Sequence, residues 1–469
     1  MNNDKSKATK SLILTIKKMV PAVFTAMIAT ALGFVALYTS PVPMIQDFGK
    51  MLTIGLVISF ILGVFLLIPI LFTRDHFFSK MKKNEVKKQI KNETPSNIDK
   101  VLDWLTIKTI TFRWILIIGA VSAAIIGIWV DLDADAETDV ETFMPQDTQE
   151  LKDLHKLRSV IGTTDQVSIV YEGDEGFTYP VFTWVDDLTG NIGQEFPDVV
   201  VETKSTTQIV KRMNDGALPD AESFSEQIAN IPDEQLKLFL NGTKNKGVIS
   251  VGIKHLEADQ LKQFLGGLRI YLDEHEMDAV KTTITGKAVL DVEMIQGLTT
   301  GRYKMTLLGM GLVFFSLLLI YRHPIKALIP LLPITFIVGW SGLTMYFLGI
   351  SYTPLTATLG ALIIGIGTEF TVLVMERFYE ERKKGSKAIE AIKVTNKSTG
   401  KAIFVSALTT IGGFSALLVS DFVILNNFGM MTLINISFAL LSTIILMPPI
   451  LSILDRFVKT KDIKISYKK

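Results

Sequence analysis

The chain has 469 residues, 48% of them hydrophobic and 20% charged, with 48 Lys and Arg against 47 Asp and Glu. So apolar a composition excludes an ordinary soluble enzyme of this size and points to a membrane protein. Cysteine is absent, which rules out disulfides and thiolate metal sites, and the five His residues show no ligand spacing.

Near-uncharged runs long enough to cross about 30 Å of hydrocarbon occur at 21–38, 51–72, 114–130, 305–321, 327–350, 356–375, 402–419 and 428–454. The first follows a Lys-rich segment, lacks a small-residue cleavage site and is followed closely by the second, so it is expected to be a retained helix rather than a signal peptide. Lys and Arg accumulate at 1–20, 73–113, 376–401 and 455–469, and all four fall on one side if the eight runs are helices. By the positive-inside bias that side is cytoplasmic. Two basic amphipathic stretches, 6–19 and 386–401, are expected to lie along the cytoplasmic membrane surface.

Residues 131–302 fall on the opposite side and hold 32 Asp and Glu against 15 Lys and Arg. Short β-branched runs at 166–172, 199–205, 247–253 and 281–286 predict strands, and 179–196 and 257–276 predict helices between them. Their alternation predicts an α+β sandwich with helices on one face. The acidic run "DLDADAETD" at 131–139 lacks the glycine and spaced ligands of a calcium loop, so it reads as a solvated segment, and no metal is expected.

The chain also matches itself. Residues 8–75 laid on 388–455 without gaps give 20 identities in 68 positions, among them Gly33/Gly413, Ser40/Ser420, Gly49/Gly429, Pro69/Pro449 and Asp75/Asp455. The first two predicted helices duplicate the last two.

One charge sits inside a predicted span. Glu369 lies in "LGALIIGIGTEFTVLVMERF", a position where an acid costs a few kcal/mol and is usually functional. A snorkelling or permanently neutral acid is the plainer alternative. Gly365 and Gly367 beside it would let neighbouring helices come close, and Ser406, Thr409 and Thr410 place three hydroxyls on one face of the next predicted helix. The positions 380 earlier hold Ala26, Ala29 and Thr30. Either the hydroxyls serve Glu369 or they tighten helix packing. No phosphate loop, nucleophile triad or metal motif appears, so no enzyme activity, no cofactor and no nucleic-acid partner is expected.

The residues "ETFMPQDTQELKDLHKLRSVIGTTDQVSIVYEG" (141–173), "ITGKAVLDVEM" (284–294), "GIGTEF" (365–370) and the paired "ALGFVAL" and "IGGFSAL" resemble the resistance-nodulation-cell division (RND) superfamily of transporters, in particular its MMPL-type hydrophobe/amphiphile exporters with a sterol-sensing-like membrane region. The resemblance implies a multi-span α-helical membrane protein with one extracytoplasmic α+β (porter-like) domain. It also implies proton-coupled export of a hydrophobic or amphiphilic substrate, in contact with membrane lipids, with Glu369, Thr409, Thr410 and Ser406 as a proton relay. Phe370 stands where the family often has Tyr, which removes a hydroxyl from that relay.

Family members have two six-helix repeats, each with an exterior domain, so this chain looks like the C-terminal part of a full-length member. Residues 1–75 then correspond to the end of the first repeat and 76–113 to a cytoplasmic linker. Residues 114–130 open the second repeat, 131–304 form its exterior domain, 305–454 a five-helix bundle and 455–469 a cytoplasmic tail. A second chain supplying the first-repeat helices and domain is the partner so implied. A lipid-sensing or scaffold protein, or an inactive fragment, would share the same helices.

Overall fold

The computed structural model describes residues 20–70, 73–74, 97–134, 136–137, 140–163, 165–278 and 280–458. The predicted interfacial stretch 6–19 lies outside them. The chain divides into two compact units, 137–296 and the remainder.

The membrane unit opens with α1 (Val20–Thr39) and α2 (Pro43–Ile70). Between them the backbone makes a turn in which Ser40 N–H donates to Leu37 O and the Ser40 hydroxyl accepts from Val42 N–H, both at 3.1 Å. Next come α3 (Asn97–Thr111) and α4 (Arg113–Asp131).

The second unit then begins. Its elements are α5 (Gln149–Ile161), β1 (Asp165–Gly173), α6 (Tyr179–Glu195), β2 (Val200–Lys204), α7 (Thr206–Met213), α8 (Ala221–Asn230), β3 (Lys246–Ile253), α9 (Ala258–Glu274), β4 (Val280–Thr285) and α10 (Lys287–Gln296). The sheet order is β2-β3-β1-β4 and all pairings are antiparallel. This is the ferredoxin-like split βαβ arrangement. Along β1 the pleat buries Val167, Ile169 and Tyr171 and leaves Gln166 and Glu172 exposed. One face of the sheet therefore carries the core, shared with Val185 and Ile192 of α6 and Leu268 of α9.

That core holds a tight contact. Tyr171 is fully buried opposite Gly247 in the β1–β3 register, its ring tilted against that of Phe177 with centroids 5.0 Å apart, and a Cβ added at Gly247 would lie 2.6 Å from ring atom Cε2. The residue must stay without a side chain because the ring crosses it. Gly247→Ala is expected to destabilise this unit by about 1–3 kcal/mol, or roughly 2–4 °C in Tm per kcal/mol. Calorimetry of the solubilised chain checks this; an unchanged transition would show that the ring can move aside freely.

Five further apolar helices complete the membrane unit: α11 (Arg302–Tyr321), α12 (Pro324–Leu348), α13 (Thr356–Lys383), α14 (Ala388–Val419) and α15 (Val423–Phe457). With α1, α2 and α4 they make, among the described residues, eight helices long and apolar enough to cross a membrane. The fold is thus a multi-span helical membrane protein with one α+β unit, as the sequence predicts. The turn between α14 and α15 has the same form as that between α1 and α2. Ser420 N–H donates to Leu417 O at 3.1 Å, and the Ser420 hydroxyl accepts from Phe422 N–H at 3.2 Å.

The closest helix crossing is that of α4 and α12. Ala120, Ala124 and Gly127 form the buried stripe of α4, and a Cβ added at Gly339 would sit 2.7 Å from Ala124 Cα. Small residues are what permit backbones to meet in a membrane. Trp340 Nε1–H reaches across to Ala120 O at 3.2 Å.

Candidate functional site

α13 is the most enclosed helix of the membrane unit, with 78% of its apolar window buried. Two glycines account for the packing around its acid. At Gly365 an added Cβ would meet the Phe34 ring at 2.9 Å and Thr30 Cγ2 at 3.0 Å, both on α1. At Gly367 it would meet Ile334 of α12 at 3.1 Å. The Thr30 hydroxyl donates to Gly365 O at 3.0 Å, tying α1 to α13 one turn from Glu369.

Glu369 itself is exposed, although Thr368 and Phe370 on either side are buried. Among the described residues it makes no hydrogen bond or ion pair. The carboxylate thus stands over the open side of an otherwise enclosed helix.

The predicted hydroxyl stripe is present on α14 but is not joined to it. Thr409 donates to Val405 O and Thr410 to Ser406 O, each at 2.9 Å, so both hydroxyls are satisfied within their own helix. Ser406 and Thr409 are exposed. Their counterparts on α1 behave differently: Ala26, Ala29 and Thr30 are 2%, 0% and 5% exposed. Likewise a Cβ at Gly33 would lie 3.0 Å from Ile364 of α13, whereas one at Gly413 would meet nothing within 4 Å. The face that α1 presents to α13 is present on α14 without an occupant among the described residues.

A second polar cluster was not foreseen. Asp131, at the end of α4, is buried, and its Oδ2 accepts from Arg302 Nη1 and from the Tyr303 hydroxyl, both at 2.6 Å. Its Oδ1 accepts from the Tyr352 hydroxyl at 2.7 Å, and its backbone carbonyl accepts from Arg302 Nη2. The guanidinium lies 3.6 Å from the Tyr352 ring centroid and 4.4 Å from that of Tyr303. Burial pushes the Tyr352 hydroxyl well above the ordinary tyrosine range, so it remains a donor. A Cβ at Gly342 of α12 would lie 2.7 Å from Asp131 Cβ, so that glycine makes room for the acid. The sequence shows Asp131 only as the first member of an acidic run, and nothing in that run signals an arginine 171 positions away.

At the opposite end of α13, Arg377 pairs with Glu380 at 2.7 Å and with Glu381 at 2.8 Å, and Arg382 pairs with Asp455 of α15 at 2.9 Å. Among the described residues there is no group of His, Asp and Glu that could hold a metal ion. An apolar cavity of about 360 Å³ lies between Val101, Leu102 and Leu105 of α3, Phe404 of α14 and Leu440 and Ile444 of α15.

Comparison with known proteins gives four findings. The MMPL family profile matches residues 258–467. A membrane protein of Methanocaldococcus jannaschii is 25% identical over 340 residues, which cover 69% of this chain and 86% of that one. The MmpL12 transport protein of Mycobacterium tuberculosis is 29% identical over 149 residues, 31% of this chain and only 13% of its own length. In structure, the hedgehog release protein Disp of the water bear Hypsibius dujardini superposes with a TM-score of 0.64 at 11% identity, over 94% of this chain and 59% of that one. The multi-span bundle and the single α+β unit agree with this superposition in fold, and residues 258–467 are similar to the MMPL family.

Proposed function

We propose that this chain is part of a proton-coupled exporter of hydrophobic or amphiphilic, lipid-like molecules in the plasma membrane. Both termini lie in the cytoplasm and the α+β unit lies outside. The observation that carries the reading is Glu369, a carboxylate exposed and unpaired among the described residues, on the most enclosed helix of a membrane bundle. An acid on a membrane-spanning helix is costly and usually functional, and a carboxyl group there can take up and release a proton. The excess of Lys and Arg in the segments assigned to the cytoplasm supports the orientation.

The face of α14 that lies open among the described residues supports a partner. Ser406, Thr409, Gly412 and Gly413 are small or polar and lie open, whereas lipid-facing positions favour large apolar side chains and small ones favour helix contact. The partner is a second chain carrying first-repeat helices, one of which covers both this face and Glu369. A second reading, lipid sensing without transport, draws on the apolar cavity beside α3, which has room for an alkyl chain.

Reconstitution separates these. The purified chain in proteoliposomes is expected not to move a fluorescent amphiphile under an imposed pH gradient, while native membranes containing it are expected to do so. Efflux by the chain alone would contradict the need for a partner. Probe binding with no gradient-driven movement in native membranes would favour the sensor. An impermeant maleimide that labels a cysteine placed at 387, but not one at 220, in intact cells would overturn the orientation.

A further inference from the structure

The buried Asp131 cluster joins three parts of the chain that have different work in the proposed cycle. Asp131 ends α4 six residues before the α+β unit begins at Glu137, and Arg302 opens α11 six residues after that unit ends at Gln296. They are the roots of the two stems through which the chain enters and leaves that unit. Tyr352 belongs to neither stem. It lies in the short connection that leads into α13, the helix of Glu369, and it also pairs with Ala136 of the entry stem as a parallel bridge. Thr353 and Thr356 follow it and hold each other's backbone N–H at 2.7 and 3.1 Å, so the connection is locked to the head of α13.

We propose that Asp131 is a positioning residue which makes the head of α13 and both stems move as one body, so that displacement of the Glu369 helix reaches the α+β unit. The inference rests on the transport reading above. One carboxylate receives a donor from each of the two bodies it unites: Arg302 and Tyr303 from the exit stem, Tyr352 from the α13 connection. The guanidinium between two tyrosine rings ties the same parts a second time. A buried ion pair is weak as a stabiliser, since an apolar replacement of similar volume often does as well.

Two variants separate coupling from folding. Asp131→Asn leaves the Arg302 charge buried without its partner and is expected to lower thermal stability. Asp131→Asn combined with Arg302→Gln removes both charges and is expected to recover most of that stability. In native membrane vesicles the double variant should still take up protons in a Glu369-dependent manner. Its export of a fluorescent amphiphile should fall about tenfold, within the roughly 5–150-fold range typical of coupled sites. Recovery of both stability and export would overturn the proposal and leave the cluster a staple.

A second readout does not depend on transport. Hydrogen exchange at 132–134, 297–301 and 350–355 should show one common protection in the wild-type chain and separate values in the double variant. Unrelated protection of these segments in the wild type would overturn the proposal even if no transport were found. Absence of Glu369-dependent proton uptake in the wild type would instead count against the transport reading.

Discussion

Gly339→Leu is expected to abolish assembly of the membrane unit. The position is where α12 lies against α4, and a Cβ alone would meet the Ala124 Cα at 2.7 Å and carbonyl carbon at 2.9 Å. Backbone cannot rotate away as a flexible side chain can, so the two helices must separate. Separation also breaks the Trp340 bond to Ala120 O and withdraws Gly342 from its place against Asp131. The cost lies at or above the roughly 3 kcal/mol top of the usual range for overpacked cores. Gly311→Leu is the control, because nothing lies within 4 Å of a Cβ there. Size-exclusion profiles and melting of the solubilised protein should show aggregation for Gly339→Leu and a wild-type profile for Gly311→Leu. Equal behaviour of the two would mean that the crossing is not as close as described.

What the sequence discloses and what it hides follows from the range of each interaction. Burial in hydrocarbon acts on every residue of a span, so all eight membrane helices were legible as apolar runs. Their ends were not. α11 begins at Arg302 rather than near residue 305, since an arginine paired with a buried aspartate can sit inside a helix that composition alone would start later. α13 continues to Lys383, past the apolar run, because pairs such as Arg377 with Glu381 at spacing i, i+4 sustain it. The amphipathic stretch 386–401 shows no boundary with the span that follows it: Ala388–Thr395 runs through a π turn at Asn396–Gly400 into Lys401–Phe414. In the α+β unit the four strands were legible from β-branched runs, whereas α5, α7, α8 and α10 are short and polar enough to read as loops.

The candidate site divides in the same way. Glu369 is visible in the sequence because a charge within an apolar run needs no partner to be noticed. The Asp131 cluster is not, since its meaning lies in contacts across 171 and 221 positions that no local pattern carries. The spacing of Ser406, Thr409 and Thr410 correctly puts their hydroxyls on α14, but spacing cannot say what faces them. In the structure the two threonine hydroxyls turn back to their own helix.

Glu369→Gln is expected to abolish gradient-driven export without lowering expression. Glutamine keeps the length and the hydrogen-bonding capacity of the side chain but can neither take up nor release a proton. An exposed position on α13 tolerates the change sterically. Glu369→Asp keeps the acid but withdraws it by one methylene, and should retain part of the activity. Thr409→Ala with Thr410→Ala should leave efflux near the wild-type rate, because both hydroxyls bond within α14 and not to Glu369. The decisive measurement is efflux of a fluorescent amphiphile from native membrane vesicles under an imposed pH gradient, with the chromosomal copy carrying Glu369→Gln. Loss of gradient-driven efflux, with protein level and melting temperature unchanged, is the predicted result; efflux at the wild-type rate would contradict the account and make Glu369 a structural acid.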